Sequence, residues 1–597
     1  MKKCAYNIAV TGLALKFPKT HTADELWQNL TKGRDCISRR SSHPSKEGRI
    51  FAYGAVDGVY DFDSRFFDIS ETEALKMAPQ DRYALELSWN ALEDACLVPD
   101  KYGGKMGVIL GTGKNDYLID YYAGRGRSMD VSDTMVGGAS PATRIAYKLD
   151  LTGPCVYALS ACSTSLTTIQ IACKYLRDGD ADAMLAGGVT ISPHQEFYSG
   201  MDGVMSSTGR TAAFDEKADG FVPGNGGAMV VLKRLEDAET DGDHIYAVIK
   251  SLVIGNDGKR KVSITAPSML GEYEVISGAL ENADLGPDEI DYVEAHGTAT
   301  AIGDQIELEA LKKVFFSGSS EVEDGNIRNT GNKSSNLRNK TALGSIKNNF
   351  GHMDAAAGIA GLIKAALILD RGEIPGVVNV SSECSALKNQ DIFYINRESK
   401  KLDKTGRLLH AGVSSFGVGG ENAHAVLEEY RKSPNYGTAP EDNLFVFSAK
   451  SEEALKRNMD AFSEWLDGNR EKAGAAATAL MKCREKMNIR AYLVDRKDGG
   501  VIRSDIRESS EEDFTDTVFM FPGSGTSAKR FSEDIYENSS IFRKYYDRCR
   551  ETARDLTGKD LDESTDLKII SVNYSTAMML EEMGIVPFQF SRQCLEN

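Results

Sequence analysis

Leu159-Ser160-Ala161-Cys162-Ser163-Thr164-Ser165-Leu166 joins two stretches of opposite hydrophobic periodicity, which dictates a strand, a tight turn and a helix around one thiol. Gly153-Pro154 breaks the chain ahead of it, and residues 155–159 read as a short buried strand. Beyond it, Leu166, Ile169, Cys173 and Leu176 recur at helical spacing, with Gly179 as the stop. Cys162 is thereby expected at a helix start, where free N–H groups and the positive end of the dipole favour a thiolate. A lone cysteine is more often an inert apolar side chain than a nucleophile, so its role depends on what accompanies it.

The same alternation of short apolar runs and helical patterns continues through the first 430 residues and indicates an α/β fold. Residues 8–13, 106–111 and 182–188 read as strands, residues 24–30 as a helix with Leu26, Trp27 and Leu30 on one face, and residues 74–95 as a longer helix. The glycine-rich run from 218 to 227 lacks the Lys-Ser/Thr of a phosphate cradle and opens a strand, so it reads as tight-turn architecture.

Two further strands end in histidine-bearing turns. Residues 290–295 exit through His296-Gly297-Thr298-Ala299-Thr300, and Gly303-Asp304 with Glu307 resembles a helix cap with an acidic partner. Residues 343–347 exit through Asn348-Asn349-Phe350-Gly351-His352 into a small-residue helix from 354 to 369. Between them, 316–340 is polar and glycine-containing, and reads as a surface insertion. A second glycine-rich stretch, 411–424, is either a donor loop for an oxyanion or a structural hairpin. His424 reads as a satisfied core histidine.

At 597 residues the chain exceeds one core, and two to four domains is the expectation. The net charge of −18 is spread along the sequence, which argues against a nucleic-acid footprint. Ten cysteines without a CxxC pair or a secretory signal argue for the reducing cytoplasm, and no apolar run is long enough for a membrane span. Residues 432–443, with Pro434 and Pro440, read as a linker. A small α/β unit then follows, with strands at 444–448 and 490–494 around a helix at 452–466. Residues 517–522 form a last strand ending in Gly523-Ser524-Gly525. No internal repeat is visible.

A thiol and two imidazoles at strand exits point to acyl chemistry or to a metal, and the absence of a paired-ligand motif weakens the metal reading. Ala161-Cys162-Ser163-Thr164-Ser165-Leu166, Glu294-Ala295-His296-Gly297-Thr298-Ala299-Thr300, Gly344-Ser345-Ile346-Lys347-Asn348-Asn349-Phe350-Gly351-His352 and Gly412-Val413-Ser414-Ser415-Phe416-Gly417 stand in family order. Through them the chain resembles the beta-ketoacyl synthase (ketosynthase) domains of modular polyketide synthases. The resemblance implies a thiolase-like layered α-β-α-β-α fold over residues 1–430. Cys162 would be the acyl-accepting nucleophile, while His296 and His352 would assist decarboxylation of a malonyl-type extender and Lys347 would support the pair. The N–H groups of Cys162 and Phe416 would form the oxyanion hole, with Thr298, Thr300 and Gly417 in the pantetheine region. No metal and no bound cofactor are implied, because the substrates ride on the phosphopantetheine of an acyl carrier protein. A homodimer is also implied. Three departures bear on pocket shape: Leu159-Ser160 before Ala161-Cys162, Ala299 in the first histidine motif, and Gly420-Glu421-Asn422.

Residues 431–517 resemble the linker that follows such ketosynthases, and 518–597 the opening of an acyltransferase. Phe519-Met520-Phe521-Pro522-Gly523-Ser524-Gly525 looks like its entry motif. Arg592-Gln593-Cys594 stands where Gly-His-Ser-x-Gly would be expected. The implied activity is decarboxylative condensation without acyltransferase activity, the extender being loaded by an acyltransferase acting in trans. A fatty-acid ketosynthase, a non-condensing transacylase and a noncatalytic chain-length-type partner are the alternatives.

Overall fold

The computed structural model describes residues 7–40, 51–123, 141–195, 204–317, 321–323, 326–328, 340–388, 390–431, 443–496, 500–508, 518–521, 529–585 and 589–592. Eleven strands form one mixed sheet, numbered here β1 (Ile8–Lys16), β2 (Met106–Thr112), β3 (Cys155–Tyr157), β4 (Ala183–Thr190), β5 (Gly226–Arg234), β6 (Ala247–Asn256), β7 (Tyr292–Glu294), β8 (Thr341–Gly344), β9 (Phe393–Ile395), β10 (His410–Phe416) and β11 (Glu421–Glu428). Their spatial order is β9-β8-β7-β10-β11-β6-β1-β5-β4-β2-β3.

That order is a duplication. The first half runs β1-β5-β4-β2-β3 and the second β6-β11-β10-β7-β8, with β9 added at the far edge. In each half the first two pairings are antiparallel and the next two parallel. The halves meet where β1 pairs antiparallel with β6. The repeat missing from the sequence is therefore present in the topology, because a core constrains apolar volume and pattern more than residue identity.

Each half ends its parallel run in a turn and a long helix: Thr164–Asp178 after β3 and Ala357–Arg371 after β8. Both helices touch strands of both halves. Every residue from Ala357 to Leu369 is buried, as befits a helix apolar on all sides and enclosed by sheet. Gly358 lets the two helices approach, since a Cβ there would lie 2.8 Å from Leu166 Cγ. Pro79–Asp94 covers β1, β4 and β5 from outside, and Met269–Ala283 covers β6 and β11. The result is the layered, thiolase-like α-β-α-β-α fold.

Some local expectations change. The helix expected over 74–95 is two helices, Glu71–Lys76 and Pro79–Asp94, because Pro79 begins a helix well but cannot continue one. β3 is an edge strand rather than a buried one: it pairs with β2 alone among the described residues, and Tyr157 and Leu159 are exposed by 40% and 61%. Within the 316–340 insertion the structure places an antiparallel hairpin, Glu321–Glu323 with Asn326–Arg328. Residues 432–442 and 523–525, expected as linker and loop, lie outside the described residues.

The sheet and its helices belong to one compact unit, residues 1–439 with 474–485; residues 440–473 and 486–597 form a second. The second unit holds an antiparallel sheet of Asn443–Ala449, Ile489–Asp495, Val501–Arg503 and Arg507–Glu508, with the helix Glu452–Asp467 burying Leu455, Met459 and Leu466. Val518–Phe521 pairs in parallel with Gln589–Arg592. Among the described residues no helix is long and apolar enough to cross a membrane.

Candidate active site

A single 3-10 turn, Ala161–Ser163, connects β3 to its helix, and Ala161 takes the left-handed conformation with φ +54°. Ser163 Oγ donates to Ser160 O at 2.8 Å, and Ser415 Oγ donates to Cys162 O at 2.7 Å, so β10 holds the turn from outside. Cys162 Sγ faces Asp354 Oδ1 at 3.9 Å. Burial pushes this thiol up to about 12, the Asp354 carboxylate adds to the rise, and Lys347 and the N–H groups of Val418 and Cys162 oppose it. The expectation of a thiolate favoured by the helix start is thus overturned. The α-helix proper begins only at Thr164, so Cys162 precedes it in the 3-10 turn, and burial raises the thiol.

β7 delivers His296 and β8 delivers His352, the latter through the short helix Lys347–Phe350 and Gly351 at φ +80°. The two rings stand edge to face, 5.7 Å apart at 84°. His352 Nδ1 accepts from the Asp354 N–H at 3.0 Å, and His296 Nδ1 accepts from the Phe416 N–H at 3.3 Å. Each imidazole therefore keeps its proton on Nε2. Burial drives both well below the usual histidine range, and the Lys347 charge pushes the same way. Phe221 packs against His352 at 4.7 Å, so the glycine-rich run from 218 to 227 serves as a wall of the site.

Lys347 is buried and donates from Nζ to the His296 carbonyl oxygen. Burial lowers its pKa, while Glu294, Glu307, Cys162 and Asp304 pull it back up. Glu294 accepts from the Ile346 N–H at 2.5 Å and pairs with Lys364 at 2.8 Å. Glu307 accepts from the N–H groups of His296 and Gly297 at 2.7 and 2.8 Å, and Asp304 from those of Phe214 and Ala299 at 2.7 and 2.9 Å. Burial pushes both carboxyls up to about 7. The acidic pair expected to cap its own helix instead reaches back to hold the His296 turn. The cap is Thr300, whose Oγ1 accepts from the Gly303 N–H at 3.2 Å.

Cys162, His296, His352 and Lys347 thus converge. Phe416 packs its ring 5.5 Å from His296, but its N–H is taken by that imidazole; the N–H groups directed at the sulfur are those of Cys162 and Val418. Thr298 Oγ1 lies 3.3 Å from Thr300 Oγ1, beside the His296 turn. Gly417 acts through its lack of a side chain, since a Cβ there would lie 2.5 Å from Ser160 O. The 411–424 stretch is a hairpin of β10 and β11, and His424 is a core histidine, bonded to Ser414 Oγ at 3.0 Å and pushed down to about 3 by burial. Sequence reasoning missed Asp354, Val418 and Glu294. The three-residue spacing of Asp304 and Glu307, just after a histidine turn, was the available signal for that pair. Among the described residues no group of three or more His, Cys, Asp or Glu side chains could hold a metal.

Residues 5–238 match the family "Beta-ketoacyl synthase, N-terminal domain", residues 246–381 its C-terminal domain, and residues 381–494 the "Ketoacyl-synthetase C-terminal extension". A phenolphthiocerol/phthiocerol polyketide synthase polypeptide of Mycobacterium tuberculosis is 31% identical over 98% of this chain, which spans 40% of that protein's length. The ketosynthase from module 1 of the bacillaene synthase of Bacillus amyloliquefaciens superposes with a TM-score of 0.72 at 32% identity, covering 83% of this chain and 88% of that one. The ketosynthase from module 6 of the bacillaene synthase of Bacillus subtilis covers 98% of this chain and 97% of its own, with a TM-score of 0.71 and 28% identity. With both family domains matched over residues 5–238 and 246–381, the chain belongs to the beta-ketoacyl synthase family, as a ketosynthase of the polyketide synthase type.

Proposed function

We propose that this chain condenses a Cys162-bound acyl group with a malonyl-type extender, both delivered as thioesters on the phosphopantetheine of acyl carrier protein. One observation carries the reading. Cys162 Sγ faces Asp354, whose N–H orients His352, whose ring stands 5.7 Å from that of His296. In the first step the sulfur attacks the acyl thioester carbonyl and its proton passes to the Asp354 carboxylate. The N–H groups of Cys162 and Val418 hold the oxyanion, and the pantetheine sulfur leaves with a proton. In the second step the extender loses carbon dioxide, and the two Nε2–H donors meet the enolate oxygen. The enolate carbon then attacks the acyl carbonyl and releases the Cys162 sulfur. Each donor is worth ~100 to 1000-fold in rate. Burial keeps both imidazoles neutral, with the Lys347 charge pushing the same way, which lets them donate without holding a charge of their own.

Time-resolved intact-mass analysis with acyl and malonyl carrier proteins tests this. Acyl loading is lost in Cys162→Ala, and carbon dioxide release is lost in His296→Ala and His352→Ala. Loading without release in the unaltered protein would make the chain a transacylase.

We also propose the domain limits 1–430, 431–517 and 518–597, a cytoplasmic site of action, and extender loading by an acyltransferase in trans. Arg592-Gln593-Cys594 stands where the resemblance would place Gly-His-Ser-x-Gly, which supports the last. A homodimer is supported by β3, which among the described residues pairs with β2 alone, and by exposed Tyr157 at its end and Leu159 just beyond it, which the same segment of a second copy would cover. Light scattering of Leu159→Lys reads this directly, as a shift towards monomer.

A further inference from the structure

Two cysteines outside the site face each other. Cys96 is exposed, follows the helix Pro79–Asp94 and has φ +55°. Cys483 follows the helix Ala473–Lys482. Polar contacts lace the two chain segments together around them. Arg484 Nη1 donates to Glu93 O at 3.0 Å, and Lys101 Nζ donates to the carbonyl oxygens of Lys482 and Arg484 at 3.3 and 3.0 Å. Arg484 Nε also lies 3.7 Å from Glu93 Oε1. Both segments belong to the first compact unit, and the two thiols are neighbours that act on each other's ionisation.

We propose that Cys96 and Cys483 form a reversible oxidation site, closed to a disulfide by a hydroperoxide and reopened by a dithiol reductant. The Cys483 sulfur attacks the terminal peroxide oxygen. The O–O bond breaks, the peroxide leaves as an alcohol or water, and the sulfur becomes a sulfenic acid. The Cys96 sulfur then attacks that sulfenic sulfur, the S–O bond breaks, and the oxygen departs with the thiol proton as water. Two thiols and one hydroperoxide thus give one disulfide, one alcohol and one water.

The surrounding charge favours one sulfur over the other: Lys101 Nζ sits on the carbonyl oxygens that flank Cys483, and Lys101 and Arg484 both stabilise its ionised form. Every other described cysteine is pushed up, Cys36 to about 11 and Cys173 to about 12. Thiolate character decides which sulfur a peroxide meets first, and the cations beside Cys483 favour that sulfur. Closure would fasten segment 474–485 to the turn at Cys96.

The test treats the full chain with hydrogen peroxide, blocks free thiols and maps peptides. A disulfide-linked peptide joining Cys96 and Cys483 is expected, and dithiothreitol removes it. Cys483→Ser abolishes the link. Cys96→Ser also abolishes it but leaves Cys483 as a sulfenic acid, trapped by dimedone. Finding Cys96 and Cys483 both alkylated after peroxide, with no linked peptide, overturns the proposal. Dimedone labelling of Cys96 in preference to Cys483 in the respective single variants overturns the assignment of roles.

Discussion

Asp354 serves both the nucleophile and an imidazole: its carboxylate receives the Cys162 thiol at 3.9 Å while its N–H donates to His352 Nδ1 at 3.0 Å. Asp354→Asn separates the two roles, because the backbone bond survives and the proton acceptor does not. Acyl loading is expected to slow by about 100-fold, the usual contribution of a general base. Carbon dioxide release from protein already acylated should be unchanged. Loading at the normal rate in Asp354→Asn would remove the carboxylate from the mechanism.

Cys162 is held as a thiol, at about 12, because burial outweighs every group that would ionise it. Its alkylation by iodoacetamide should therefore climb roughly tenfold per pH unit between about pH 7 and 9, without a plateau. A plateau in mass-spectrometric labelling below about pH 8 would show an activated thiolate instead.

The buried site couples stability to pH through groups of opposite sign. His296 and His352 lie well below 6.5, so below that pH the unfolded chain takes up protons that the folded one refuses, and stability is lost on acidification. Asp304 and Glu307, raised to about 7, hold protons that the unfolded chain releases, and favour the folded state as pH falls from about 7 towards 4. Replacing both histidines by Asn should remove the first effect and keep the second. Relative to the unaltered protein, the unfolding free energy of that variant from chemical denaturation should rise on going from about pH 6.5 to 5, by about 1.4 kcal/mol per pH unit for each proton no longer refused.

The site's chemistry was far more legible in the sequence than its support. Cys162, His296 and His352 stand out because nucleophiles and donors at strand exits need glycine-permitted turns and short motifs. Their partners act across space. Asp354 looks like the opening of a helix, Glu294 like a strand residue, and Asp304 with Glu307 like a cap. Only the fold shows that Asp354 faces the Cys162 thiol and that Glu294, Asp304 and Glu307 all act on the Lys347 charge. Val418 escaped notice because its contribution is a backbone N–H, which any residue carries. The thiolate expectation failed for a related reason, since burial at Cys162 is a property of the whole core and of no local pattern.

Lys364 and Glu294 are both buried and 2.8 Å apart. Lys364→Met leaves the carboxylate without its cation, and should cost about 3–5 kcal/mol of stability in chemical denaturation. Lys364→Met with Glu294→Gln should recover part of that loss, since the pair matters more when half of it is removed than when both charges go.

Gly417→Ala would set a methyl 2.5 Å from Ser160 O, where backbone must give way. The expected cost is about 1–3 kcal/mol, with slower acyl loading because the Cys162 turn is displaced. Loading kinetics beside thermal unfolding separate the two effects.

The antiparallel junction of β1 with β6 means that the nucleophile comes from one copy of the folding pattern and both imidazoles from the other. Neither copy is a rudimentary catalyst. Severing the polypeptide between β5 and β6 would yield two inert fragments, and any chemistry recovered on mixing them would report reassociation across that one seam.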